Sequence, residues 1–457
     1  MKPTHMQNWT RRDLVKLSGL GLVGLAGCLE DSSGSGDSGG SGDSGGSGGS
    51  GDSGSSGGSD DSGGSDGEDT STESDSGGDS GGMDTYTIGM VDALTGSLAP
   101  YGQRNQRGKD LALAAINEAG IGDGGQLEVV VEDSESANQA GISAAQKLVN
   151  QDGVPLLIGA VSSGVSIAIH DSVTNPNGVV QISQNSTSPR LTEKPELNRM
   201  SPAGTEKWTA LANLVSEDGH DTVAATWLNN DYGAGFNDVF PNEFDGEVVY
   251  NEPHDQGQSS YSGTLTSMAS TDASAWLFIT YANEFIVMAN EAFDQGYNEQ
   301  VQYYGAESTI ADEILGNTQE GAFNGMKGVT ESAPEEQDNY QTFVSQFESE
   351  YDASPTVWSA YAYDAVVVSA LAAAAADEFS NEALMEVVRD VTRPEGTEVT
   401  TPQEALEMLN EGASPSEINY QGVSGPVDLD ENGDPPGFYR VYGVEDHAYT
   451  TIEYISS

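Results

Sequence analysis

Pro155–Leu191 (PLLIGAVSSGVSIAIHDSVTNPNGVVQISQNSTSPRL) constrains the fold more than any other stretch. Pro155 to Ala160 is a short apolar run without polar alternation, the pattern of a parallel strand buried on both faces. Ser162, Ser163 and Gly164 follow at once, and Val165, Ile167, Ala168, Ile169 and Val173 continue as an amphipathic helix. After Gly178, Val179 to Ser183 reads as a second strand and Gln184 to Ser188 as a second polar turn. Two neighbouring parallel strands then present hydroxyl-rich turns at one carboxyl edge of a sheet, where open α/β sheets bind ligands. A helix start there offers free N–H groups and the positive end of a dipole, which suits a small carboxylate. The same residues also suit ordinary helix N-caps, and this stretch alone leaves both readings open.

The pattern repeats on either side. Thr85 to Val91 reads as a strand, Ala93 to Gly102 (ALTGSLAPYG) as a loop, and Arg104 to Ala119 as a helix. Leu127 to Glu132 and Asn138 to Asn150 add a strand and a helix. Ser201 to Thr205 (SPAGT) breaks the series, which restarts with strands at Thr222 to Leu228, Gly246 to Tyr250, Ala275 to Thr280 and Val301 to Gly305. The chain is therefore expected to be α/β, with two doubly wound Rossmann-like lobes and a cleft between them. Val357 to Ala376, rich in Ala and Val, reads as a buried helix. Gly425 to Ile455 reads as a hairpin turning at Glu431-Asn432-Gly433-Asp434.

Charge narrows the functions. Net charge is −57, from 16 Lys+Arg against 73 Asp+Glu. A partner with a phosphate backbone needs a basic patch, so nucleic acid is excluded. The acid is spread through segments with apolar periodicity, which points to a folded domain working in high salt. At molar salt the Debye length falls to roughly 3 Å and self-repulsion is screened. Ahead of that domain, Arg11 and Arg12 precede a short Gly-rich apolar run, Leu17 to Ala26. This has the order of a twin-arginine signal peptide over residues 1–28. Leu25-Ala26-Gly27-Cys28 resembles the lipobox of exported lipoproteins, and Cys28 is the sole cysteine, so no intramolecular disulfide is expected. Residues 29–83, almost all Gly, Ser and Asp, cannot bury a core and read as a disordered tether. No other stretch is expected to cross a membrane.

Several chemistries are weighed and set aside. Asp428, Asp430, Asn432, Gly433 and Asp434 resemble the start of a calcium loop, but Tyr439 stands where the bidentate acid belongs. Ser163 and His170 with Asp171 suggest a hydrolase, yet residues seven apart on a helix lie roughly 10 Å apart. GAVSSG lacks the Lys of a phosphate loop, and the histidines have no metal spacing. No enzyme, metal or cofactor is expected. In the second lobe, Asn229-Asn230-Asp231-Tyr232-Gly233, Thr280-Tyr281 and Tyr304-Gly305-Ala306-Glu307 each follow a strand. Three such edges facing the hydroxyl turns would set an acid opposite an anion cradle, which a zwitterion requires.

From about Asp84 onward the chain resembles the leucine/isoleucine/valine-binding proteins, amino-acid-binding subunits of ABC importers with the periplasmic binding fold type I. With its N-terminus it is similar to lipoproteins of haloarchaeal type. The resemblance rests on ALTGSLAPYG, LIGAVSSG, ISQNSTSPRLT, NNDYG, YGAES and GVSGPVDLDENGD in that order. It implies lobe 1 at 84–203 plus 333–421 and lobe 2 at 204–332 plus 422–457, joined by three crossovers hinging near Pro202, Val329 and Gly422. It implies that Ser163 and Thr187 bind a ligand carboxylate. The Asn185 carbonyl, the Thr187 hydroxyl and Glu307 would hold the ammonium, with Tyr101, Tyr232 and Tyr281 around the side chain. The implied function is a monomeric, extracellular solute-binding protein, anchored to the membrane at Cys28, that delivers a small amino acid to an ABC permease. A branched-chain amino acid is the foremost candidate. Asn185 stands where a small apolar residue is usual, and the family includes binders of aromatic acids and urea. A sensor or binder for another small carboxylate or amide, and a cell-surface structural protein, are the alternatives.

Overall fold

The computed structural model describes residues 84–456. The expected signal peptide, Cys28 and the tether lie outside the described residues.

The first sheet is fully parallel, built from β1 (Thr85–Asp92), β2 (Gln126–Asp133), β3 (Leu156–Gly159), β4 (Val180–Ser183) and β5 (Leu197–Arg199) in the order β2-β1-β3-β4-β5. Between the strands run α1 (Ala99–Ala119), α2 (Asn138–Asn150) and α3 (Ser163–Ile169). The last continues through a π turn (His170–Thr174) into α4 (Asn175–Asn177). β3 and β4 are buried at every position, which is why they show no polar alternation.

After α5 (Gly204–Glu217) a second sheet begins with β6 (Thr222–Leu228), α6 (Asp231–Glu243), β7 (Glu247–His254), α7 (Ser262–Ala269), β8 (Ala275–Ile279), α8 (Ala282–Asp294) and β9 (Gln302–Gly305). α9 (Asp312–Asn317) and β10 (Lys327–Glu331) complete its parallel part. The chain then returns to the first core with α10 (Asp338–Tyr351), α11 (Val357–Ala375), α12 (Asn381–Val387), β11 (Thr397–Val399), α13 (Pro402–Asn410), β12 (Ile418–Gly422) and β13 (Gly425–Pro426). It ends with β14 (Phe438–Glu445) and β15 (Ala448–Ser456), antiparallel on the edge of the second sheet, whose order is β15-β14-β10-β9-β8-β6-β7. Two doubly wound α/β units therefore stand as expected.

α11 has the length and apolarity of a membrane span, contrary to the expectation that no described segment would. It is 89% buried, packed on the first sheet's core with Phe343, Ile116 and Leu406, so its composition is that of a core helix. Gly108 lets α1 approach it closely: a Cβ there would stand 2.2 Å from the Ser359 carbonyl oxygen.

Other expectations shift. The terminal hairpin does not turn at Glu431–Asp434. It turns between β14 and β15, where Asp446 and His447 take φ of 49° and 59°. Glu431–Asp434 forms an earlier turn instead, in which Asp430 Oδ1 accepts from the Asn432 N–H at 2.8 Å and the Asp434 N–H at 3.0 Å. Pro435 and Pro436 follow, and prolines cannot donate to a ladder, so the strand starts only at Phe438. Val329, expected near a crossover, lies buried inside β10, paired with Val441. The chain leaves that sheet only after Glu331.

Candidate functional site

Both expected hydroxyl turns lie at carboxyl ends of first-sheet strands. Ser163 is the first residue of α3, and Gln184 to Ser188 follow β4. The two turns are tied together: Ser163 Oγ accepts from the Ser188 N–H at 3.2 Å. Thr187 Oγ1 accepts from Lys207 Nζ at 3.4 Å. Each hydroxyl thus uses a lone pair on a protein N–H and keeps its own proton to donate. Beneath them, Ser166, Ser183 and Ser186 link to one another and to the Ala160 carbonyl, which fixes the turns from below.

The second sheet supplies the opposite wall. Tyr232 follows β6 at the start of α6, and Asn230 caps that helix by accepting from the Gly233 N–H at 3.1 Å. Gly233 is required there, because a Cβ would stand 2.1 Å from the Leu228 carbonyl oxygen. Tyr281 precedes α8, and its ring stacks on Tyr232 at 5.6 Å between centroids. The Tyr232 hydroxyl pairs with Ser308 Oγ at 2.9 Å. Burial pushes the Tyr281 phenol up to about 12 and the Tyr232 phenol well above its usual value, so both stay neutral donors.

All seven residues expected at the site line one cavity: Tyr101, Ser163, Asn185, Thr187, Tyr232, Tyr281 and Glu307. Its free volume is about 40 Å³, so the walls are close. Six of the seven are buried and Tyr101 is partly exposed. Sequence reasoning missed Leu98, Val161, Ser308 and Trp358, and named Ser162 only as part of the first hydroxyl turn. Trp358 meets the Tyr101 ring edge to face at 6.0 Å and comes from α11, far along the chain. The helix starting at Val357 was expected, but nothing in its sequence marks Trp358 as a cavity residue.

Two details depart from the expected roles. The Asn185 side chain takes part in the packing, its Oδ1 accepting from Asn105 Nδ2 at 2.7 Å. Its Nδ2 is buried with no partner among the described residues, which leaves a donor beside the cavity. Glu307 is not free: its Oε2 lies 2.7 Å from Lys207 Nζ. The pair does not meet hydrogen-bond angles, so the contact is a Coulombic one.

The walls are also held across the cleft. Arg190, just after the second hydroxyl turn, pairs with Asp238 at 2.8 Å and Asp231 at 3.2 Å on α6. Gln256 Nε2 donates to Ser97 Oγ at 2.9 Å.

A family model described as periplasmic binding protein matches residues 85–413. The chain belongs to the periplasmic binding protein family. Members bind solutes rather than transform them. One curated relative, Leu/Ile/Val-binding protein homolog 1 of Brucella melitensis, is 26% identical over 80% of this chain and 92% of its own length. Leu/Ile/Val-binding protein homolog 3 of the same organism is 27% identical, and the match spans 64% of it. Among solved structures, the isoleucine-bound branched-chain amino acid substrate-binding protein of Streptococcus pneumoniae has a TM-score of 0.69 at 24% identity, covering 82% of this chain and all of the other. A benzoate-bound solute-binding protein from R. palustris has a TM-score of 0.65 at 18% identity, covering 81% and 96%. These structural likenesses establish the type I fold.

Proposed function

We propose that this chain is the extracellular solute-binding protein of an ABC importer, taking a small amino acid, foremost a branched-chain one, in the cleft. The observation that carries it is the pairing of opposite demands in one cavity. Ser163 and Thr187 offer O–H donors, with the unpartnered Asn185 amide beside them, and Glu307 offers a carboxylate on the facing wall. A carboxylate and an ammonium on one small molecule satisfy both. Tyr101, Tyr232, Tyr281 and Trp358 leave an apolar lining for an aliphatic side chain. The amino-acid-binding relatives, by their names, support the same ligand class.

In this reading lobe 1 comprises 84–203 plus 333–429, extending past the expected bound at 421, and lobe 2 the intervening 204–332 and the C-terminal hairpin. Val423, Val427 and Leu429 pack in the first core, so we place the third crossover between Leu429 and Phe438. The lobes close on the ligand by bending at the crossovers, and no chemistry is done on it. Export by the twin-arginine route, lipidation of Cys28 and a tethered monomer delivering to a permease complete the proposal. They rest on the N-terminal sequence and on the family.

A second reading is an aromatic acid, favoured by the four aromatic rings and by the benzoate-bound relative. It leaves the Glu307 carboxylate facing a ligand that carries no ammonium. Thermal shift in molar salt with leucine, isoleucine, valine, benzoate and urea separates the two. Stabilisation by at least one aliphatic amino acid and not by benzoate is expected; the reverse rejects the amino-acid reading.

A further inference from the structure

Behind Glu307 stands a buried cation that sequence reasoning did not single out. Lys207 lies in the first turn of α5 with no exposed side-chain surface. Its Nζ sits 2.7 Å from Glu307 Oε2, 2.8 Å from Glu331 Oε1 and 3.4 Å from Thr187 Oγ1. It also lies over the Trp208 ring at 4.4 Å and the Tyr232 ring at 5.7 Å. Glu331, the last residue of β10, is as deeply buried and does not line the ligand cavity. One ammonium would be matched by one carboxylate. Here it has two, and Glu307 alone of the three reaches the ligand.

We propose that Lys207 and Glu331 are positioning residues that set the charge of the ligand site. With both glutamates ionised, the trio carries one more negative charge than positive, and that unmatched charge selects a ligand bearing an ammonium. Lys207 holds the Glu307 carboxylate toward the cavity, and Glu331 restores the charge that Lys207 would otherwise cancel. A neutral Lys207–Glu307 pair would accept an amine-free carboxylate equally well. The proposal rests on the cleft being an amino-acid site.

Titration gives the idea a second signature. Burial pushes the Glu331 carboxyl up to about 7, with Lys207 opposing the rise and Glu307 adding to it. Several other titratable and charged groups face it. Tyr439 across the β ladder and Tyr361 on α11 are driven far above the ordinary phenol range by burial. Arg104 and Arg440 share a neighbouring cavity of about 170 Å³ with Glu331, Glu307 and Glu335, and among the described residues no ion pair joins either arginine to the trio. Below that pH the trio with a protonated Glu331 is neutral. An arriving ammonium favours the ionised form, so ligand binding expels a proton and affinity rises as pH rises toward 7.

The test is calorimetry on the full chain in molar salt, from pH 5.5 to 8. The probes are L-leucine, L-isoleucine and L-valine beside their amine-free counterparts 4-methylpentanoate, 3-methylpentanoate and 3-methylbutanoate. In the wild type, amino-acid affinity should rise by up to about ten-fold per pH unit below 7, with a proton released in buffers of different ionisation heat. Glu331→Gln should abolish the release, weaken amino-acid binding about ten-fold, and shrink the discrimination against the amine-free acids. Glu331→Asp should recover part of each. Amino-acid binding without proton release, together with a Glu331→Gln variant of unchanged affinity and discrimination, overturns the proposal while leaving the amino-acid site intact. Wild-type binding of amine-free acids but of no amino acid overturns both. If Glu331→Gln does not fold, the wild-type pH and proton-release measurements decide alone.

Discussion

Arg199 Nε donates to Asp434 Oδ1 at 2.6 Å, tying the end of the first sheet to the chain's last passage between the sheets. Arg199 has no exposed side-chain surface. Its remaining donors reach the Ser188 carbonyl at 2.8 Å and Thr192 Oγ1 at 2.6 Å. The second hydroxyl turn and the third crossover are therefore fastened to one guanidinium. Replacing Arg199 by Met leaves the Asp434 carboxylate and the Ser188 carbonyl without that partner. Loss of one member of a buried pair costs about 3–5 kcal/mol. Urea unfolding in molar salt should show a loss of that size, with the slope against denaturant unchanged; a loss below about 1 kcal/mol would mean that water replaces the guanidinium.

Acid should weaken the fold through His254. This residue ends β7, and its two ring nitrogens pair with Thr226 Oγ1 and Thr280 Oγ1, each at 2.9 Å. Burial pushes its pKa down to about 4, with Asp255 opposing. The unfolded chain takes up the proton near pH 6.5 and the folded one only near 4. The contribution is therefore complete above pH 6.5 and is lost as pH falls through that window. It amounts to about 3 kcal/mol by the bottom of the window. Tm measured from pH 7 to 4 should fall less steeply in His254→Gln than in the wild type; parallel curves would refute it.

The stacked tyrosines separate packing from hydrogen bonding. Tyr232→Phe removes only the bond to Ser308 and should cost about 1 kcal/mol of stability, with ligand affinity changed a few-fold. Tyr232→Ala also removes the face that covers Tyr281, Trp208 and the cavity, and should cost about 3–5 kcal/mol. Amino-acid binding should then weaken far more than in the Phe variant. Equal effects on binding would mean that the hydroxyl, not the ring, serves the ligand.

Legibility differed between fold and site for physical reasons. β3, β4 and β8 were plain in the sequence because strands buried on both faces cannot alternate. β5 and β11, three residues each, are too short to carry a period. The seven expected site residues converge because each follows a strand, and strand ends at one sheet edge are neighbours by topology. Trp358 and Lys207 sit on helices after chain crossovers, so their positions depend on how two sheets meet. Lys207 in particular reads as a solvated helix charge in TEKWT, and only three-dimensional packing brings Glu307 and Glu331 to it. The Asn-Gly turn misled because its signal is local, while the prolines after it decide where the ladder can begin.

Asp364 is a second buried charge, fastening the turn between β12 and β13, and it offers a stringent substitution. It lies inside α11 with no exposure. Its Oδ1 accepts from the Tyr420 hydroxyl at 2.7 Å and the Val423 N–H at 3.0 Å. Its Oδ2 accepts from the Ser424 N–H at 2.8 Å and from the Ser424 hydroxyl. Every partner is a donor, so the site is shaped for an acceptor with two equivalent oxygens. Gly422 permits the approach, since a Cβ there would stand 2.3 Å from Oδ2. Asp364→Asn keeps the volume but turns an NH2 toward N–H and O–H groups that have nowhere else to donate. It should cost about 2–4 kcal/mol, comparable to Asp364→Ala despite being the smaller change in shape. Thermal unfolding of the two variants in molar salt measures this. An Asn variant close to wild type, with only Ala destabilised, would show that volume rather than acceptor chemistry holds the β12–β13 turn.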